Sequence, residues 1–135
     1  MAGYSGTPLQ KKLGIKEGSR VWLVNPPRGF RKTLGDLPRN VLFVGQSAGP
    51  LDLILFFVKS RSQLLNNFSK LASKLAPAGM LWIAWPKRAS GVATDLSDNV
   101  VRGIGLDAGL VDTKICAIDE VWSGLRFVIR LKDRR

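Results

Sequence analysis

The side chains able to do chemistry in this chain are mostly cations, and they gather where apolar runs end. Arg28, Arg31 and Lys32 follow the run 20–25, Lys59, Ser60 and Arg61 follow 53–58, and Lys87, Arg88 and Ser90 follow 80–85. Guanidinium and ammonium groups in such loops recognise phosphate or carboxylate. Near them stand Asp95 and Asp98, before a helical pattern, and Asp119 and Glu120, in a turn where they could pair with Lys87 and Arg88. Trp122 falls in that turn and could cover a ligand ring. The binding candidates are therefore Arg28, Lys59, Ser60, Arg61, Lys87, Arg88, Ser90 and Trp122, with Asp95, Asp119 and Glu120 as polar partners. Asp95 and Asp98 read as helix caps, because a negative charge there offsets the helix dipole.

The chain contains no histidine and one cysteine. That excludes Ser-His and Cys-His nucleophiles and zinc sites built on imidazole or thiolate. Cys116 lies in the apolar run Ile115-Cys116-Ala117-Ile118, where a thiol behaves as a small hydrophobe. No catalytic residue and no metal site are assigned.

The elements that must position these loops are legible around residues 51–86. Leu53-Ile54-Leu55-Phe56-Phe57-Val58 is too short for a helix and unbroken, as a strand covered on both faces is. Ser60 and Gln63 form a capping box for a helix expected to reach Ala76. Leu64, Leu65, Phe68, Leu71 and Leu75 mark its apolar face. Pro77 and Gly79 stop it, a strand follows over 80–85, and such a unit closes as a right-handed parallel crossover. A first strand is expected over 20–25, a connection long enough for a short helix over 26–40, and a second strand over 41–44. The turn 45–50 is too short for a parallel crossover, so the second strand should run antiparallel to the central one. Ser97 caps a second helix carrying Val100, Val101, Ile104 and Ala108, and 111–118 and 125–131 form a hairpin.

The fold class is α/β: a single three-layer Rossmann-like domain with a mixed, mostly parallel sheet and a C-terminal antiparallel hairpin. Residues 1–19 read as an arm, 20–132 as the domain and 133–135 as a basic tail. Ligands of open α/β sheets sit outside the carboxyl ends of the parallel strands, so the basic loops should share one rim. The net charge is +11, and residues 1–40 hold eight basic against two acidic side chains. An anionic small molecule or nucleic acid is the expected partner. No apolar run approaches a membrane span and the first residues do not read as a signal peptide, so a cytoplasmic location is expected.

The order of elements from Leu51 to Lys132 resembles the second half of the class I methyltransferase-like sheet that binds S-adenosylmethionine. In that family a first strand leads into a G-x-G-x-G turn against the cofactor. Here the corresponding strand runs into Asn25-Pro26-Pro27-Arg28-Gly29-Phe30, which keeps one glycine and adds two prolines. The whole chain is also similar to a family of small bacterial proteins known only as a domain of unknown function. The shared segments resemble Gly3-Tyr4-Ser5-Gly6-Thr7-Pro8-Leu9, Trp85-Pro86-Lys87-Arg88-Ala89-Ser90-Gly91 with Thr94-Asp95-Leu96, and 118–127. That resemblance implies a bacterial source and a compact α/β domain.

The expectation from these observations is a small binding or regulatory protein, non-enzymatic and without a cofactor, that recognises an anionic ligand or nucleic acid at the sheet's carboxyl edge. The alternative is a divergent S-adenosylmethionine-dependent methyltransferase, with Asp119 or Glu120 accepting a proton and Trp122 helping to bind substrate. A protein-interaction module is a further alternative.

Overall fold

A run of large apolar residues with no polar interruption can satisfy its backbone and hide both faces only inside a sheet, and β3 (Leu51–Phe57) does so. In the computed structural model, which describes residues 7–46 and 48–134, Leu53 to Phe57 are all buried. Successive side chains alternate between the two sides: Ile54 and Phe56 enter one core, while Leu53, Leu55 and Phe57 enter the other. β3 pairs in parallel with β1 (Arg20–Val24) and with β4 (Leu75–Pro86). The six-stranded sheet is completed by β2 (Leu42–Phe43) outside β1, and by the hairpin of β5 (Leu110–Ala117) and β6 (Trp122–Ile129), in the order β2-β1-β3-β4-β6-β5. β6 is antiparallel to both of its neighbours, so β5 runs with β1 to β4.

Helices cover both faces and make three layers. α3 (Arg61–Ala72) and α4 (Asp98–Asp107) pack Leu64, Phe68, Leu71, Val101 and Ile104 into the first core. On the other face α1 (Leu9–Leu13) and α2 (Phe30–Leu34) bring in Leu13, Phe30 and Leu34. Both long helices start as the sequence predicts: the Ser60 hydroxyl accepts the Gln63 amide at 3.1 Å, and the Ser97 hydroxyl accepts that of Val100 at 3.3 Å. α4 lies so close to the sheet that a Cβ on Gly105 would stand 2.0 Å from Cε1 of Phe127. Gly105 is a contact point between layers rather than a weak spot in the helix.

The structure corrects several expectations. β2 is parallel to β1, not antiparallel to the central strand, through the pairs Arg20↔Leu42 and Val21↔Phe43. A strand this short advances only about 7 Å, so the chain need not recross the sheet's full height, and residues 44–50 suffice for the return. α3 ends at Ala72, and β4 begins at Leu75, paired to Leu51 ahead of an irregularity in the ladder. Burying Leu75 beside Leu51 outweighs continuing the helix, and Pro77 and Gly79 fall inside the irregular start of β4. β6 starts at Trp122, three residues before the expected strand, opposite Pro86.

Of the arm expected over 1–19, the part from Leu9 on is packed: Leu13 and Ile15 are buried, and the indole N–H of Trp82 donates to the Leu13 carbonyl at 2.8 Å. Residues 1–6 of that arm, Ser47 of the turn and Arg135 of the tail lie outside the described residues. Among the described residues no helix is long and apolar enough to cross a membrane.

Candidate functional site

With β1 to β5 running the same way, the loops after them open on one edge of the sheet. Three cavities lie in loops at this edge. The first, about 490 Å³, sits between the turn after β1 and the end of β2, with Leu23, Pro27, Arg28, Gly29, Phe43 and Val44 among its walls. Asn25 closes β1 in the left-handed region at φ 55°, and Gly29 at φ 77° caps α2 without a side-chain hydrogen bond. Such a φ is cheap for glycine and places bare backbone against the cavity. Arg31 rises from α2 and lays its guanidinium over Phe43, 3.8 Å from the ring centroid, tying the helix to β2.

The second cavity, about 400 Å³, lies between the ends of β1 and β3 and is lined by Asn25, Pro27, Phe57, Val58, Lys59, Gln63 and Trp122. Pro27 lines both cavities. β1 leads to β2 on one side and the chain then returns to β3 on the other, so this is the point where the strand order reverses. The third cavity, about 540 Å³, lies beyond the ends of β4 and β5 and takes in Lys87, Arg88, Thr94 and Asp98.

The predicted residues divide among these places. Arg28 lines the first cavity, Lys59 and Trp122 the second, Lys87 and Arg88 the third. Ser60, Arg61, Ser90, Asp95, Asp119 and Glu120 line none of the three. Ser60 is spent on capping α3, and the Ser90 hydroxyl donates to the Lys87 carbonyl and accepts the Val92 amide, which shapes a loop. Asp95 caps a helix, but it is α3 rather than α4: its Oδ1 accepts the Arg61 amide at 2.7 Å. The start of α3, where the helix dipole favours a negative charge, is thus met by a carboxylate of the chain itself. The neighbouring Thr94 hydroxyl donates to the Lys59 carbonyl and holds the same corner.

Asp119 turns Oδ1 onto the amides of Val121 and Trp122, both at 2.8 Å, and so builds the hairpin. Glu120 is exposed at its tip. Trp122 is not a turn residue free to swing over a ligand. It is 9% exposed, with its ring edge-on to Phe57 at 5.0 Å, and forms a fixed wall of the second cavity. Asn25, Phe43, Phe57 and Gln63 are not among the binding candidates read from the sequence, though each stands at a strand end or in the first turn of a helix. Burial pushes the Cys116 thiol above its ordinary pKa, against the opposing pull of Lys12, Lys114 and Arg126. Among the described residues no group of Cys, Asp and Glu is arranged to hold a metal ion.

No family model matches the chain, and no curated protein matches it. Solved structures do. The chain is similar to a SAM-dependent methyltransferase from Aquifex aeolicus, with 18% identity, a TM-score of 0.63, and 90% of this chain and 88% of that one covered. It is also similar to magnesium protoporphyrin IX methyltransferase from Synechocystis with bound SAM, at 12% identity, TM-score 0.61, and 90% and 74% coverage. Fibrillarin from Aeropyrum pernix, in complex with natively bound S-adenosyl-L-methionine, matches at 15% identity, TM-score 0.57, and 93% and 70% coverage. At these identities the likeness is one of fold, and the fold is the class I methyltransferase-like sheet over the whole domain rather than its second half alone. Against the expectation of a non-enzymatic binder without a cofactor, the neighbours on this fold are methyltransferases, several of them solved with S-adenosylmethionine or its product.

Proposed function

We propose that this chain is an S-adenosylmethionine-dependent methyltransferase on a shortened class I sheet. The observation that carries the reading is the pair of cavities meeting at Pro27, over the carboxyl ends of β2, β1 and β3, on a fold shared with methyltransferases solved with the cofactor bound.

The residues present fit that cofactor. The first cavity falls within the few hundred to about 1,000 Å³ usual for small-molecule sites. Leu23, Pro27 and Phe43 offer apolar surface for a purine ring, and Arg28 a guanidinium for a carboxylate. Pro26 and Pro27 carry no N–H, which leaves the amides of Arg28 and Gly29 as the donors the turn can offer. The rings of Phe57 and Trp122 supply π-faces over which a positively charged sulfur can lie. When bound, the cofactor supplies an electrophilic methyl group on that sulfur.

The chain's own residues do the rest. Phe57, Val58 and Trp122 form the apolar side of the second cavity, and Lys59 and Gln63 meet the acceptor there. Neither Asp119 nor Glu120 has a part in this reading, since the first is committed to the hairpin and neither lines the second cavity. With this reading goes a bacterial, cytoplasmic protein, as the resemblance of the whole chain to the small bacterial family implies.

A thermal-shift titration tests the proposal. S-adenosylhomocysteine at one hundred times its dissociation constant should stabilise the protein by about 2.7 kcal/mol, and Phe43→Ala should weaken binding about tenfold through loss of one ring contact. No stabilisation by either S-adenosylmethionine or S-adenosylhomocysteine would refute it.

A further inference from the structure

The second cavity is where an acceptor would meet the methyl group, and its lining is ill suited to removing a proton. Pro27, Phe57, Val58 and Trp122 form its apolar walls, Asn25 and Gln63 are neutral amides, and Lys59 is the one charged side chain among the described residues that line it. Two acids along the same edge have other work, and a third, Glu120, is exposed at the hairpin tip and does not line this cavity. Asp95 takes the Arg61 amide, and Asp119 takes those of Val121 and Trp122. The chain has no imidazole to act in their place.

We infer that the methyl acceptor is a small organic acid, methylated on its carboxylate as the anion, with Lys59 as the group that holds it. This rests on the methyltransferase reading above. A carboxyl group with a pKa near 4 already carries its reactive lone pair at neutral pH, whereas an alcohol or ammonium acceptor needs a base to take its proton. One carboxylate oxygen forms the bond to the methyl carbon, and the carbon–sulfur bond breaks with its electron pair left on sulfur. The anion's charge cancels that of the sulfonium, the product is a neutral methyl ester, and no proton moves.

Lys59 draws a carboxylate to the cavity by pairing with it, and the Gln63 amide can donate beside it. The start of α3 adds little attraction of its own, because Asp95 already offsets it. Lys59 is thus a binding residue, expected to act on KM rather than on kcat. The flat walls of Phe57 and Trp122 suit an acid with an apolar, planar body.

The test compares phenylacetate with phenylacetamide, nearly equal in shape and different in charge, each titrated into protein saturated with S-adenosylhomocysteine and read by calorimetry. The acid should bind at least about tenfold more tightly than the amide. Lys59→Met should erase that preference and Lys59→Arg should retain it, while Lys70→Met, on the exposed side of α3, should leave it intact. An equal response to acid and amide, including none to either, or a preference that survives Lys59→Met, would overturn the inference. Failure of S-adenosylhomocysteine to bind in the first step would instead overturn the methyltransferase reading, and the acid–amide comparison on the unliganded protein would still decide the role of Lys59.

Discussion

Asp95 shows how much a single side chain can do away from its own segment. It lies 34 residues from Arg61 in sequence, yet its carboxylate accepts the first amide of α3. It thereby fixes the loop after β4 against the corner that carries Lys59. Asp95→Ala should cost about 1 kcal/mol, the usual worth of a helix cap, in urea unfolding, and Asp95→Asn less, since the amide oxygen can still accept. At Cys116 the sign of the pH effect follows from burial. A thiol whose pKa is raised in the folded state contributes stability that is complete below its unfolded pKa and is lost as pH rises through the folded one. Cys116→Ala should therefore lose less stability than the wild type as pH is raised past the ordinary thiol range, measured as the difference between the two unfolding curves. The sequence could mark Asp95 as a cap but not say of which helix, because the partner amide is supplied by chain folding and not by spacing.

Elements were legible where one local signal sufficed. The unbroken apolar run of β3 and the serine caps of α3 and α4 each state their structure within a few residues. The sequence shows where β2 lies but not its direction, because the length needed for a parallel return depends on how far the strand travels, and Leu42–Phe43 travels little. Trp122 reads as a turn residue in the sequence because Asp119 and Gly124 flank it, but the hairpin closes earlier, on Asp119, and burial against Phe57 draws the indole into β6. The α4–β6 contact makes a sharp prediction. Gly105→Ala should destabilise by about 1–3 kcal/mol, as overpacking of a filled core does, although alanine is the better helix former. A rise in the urea midpoint would show that Phe127 can move aside. The double variant Gly105→Ala with Phe127→Leu should recover part of the loss.

At the scale of the whole molecule, parallel strand direction is what gathers residues from distant parts of the chain at one edge. That gathering is legible in the sequence and its division is not: Arg28, Lys59 and the Lys87–Arg88 pair line different cavities along the edge, the first two of which meet at Pro27. The large positive charge drew attention to anions, while the apolar residues at strand ends, Phe43 and Phe57, build the two cavities that meet at Pro27. The central claim is that S-adenosylmethionine or its product occupies that pair of cavities. Amide chemical-shift mapping with S-adenosylhomocysteine tests it most directly. The account predicts saturable shifts concentrated at Leu23, Arg28 to Phe30, Phe43, Val44 and Phe57 to Lys59; an unchanged spectrum, or shifts confined to the β5–β6 hairpin, would contradict it.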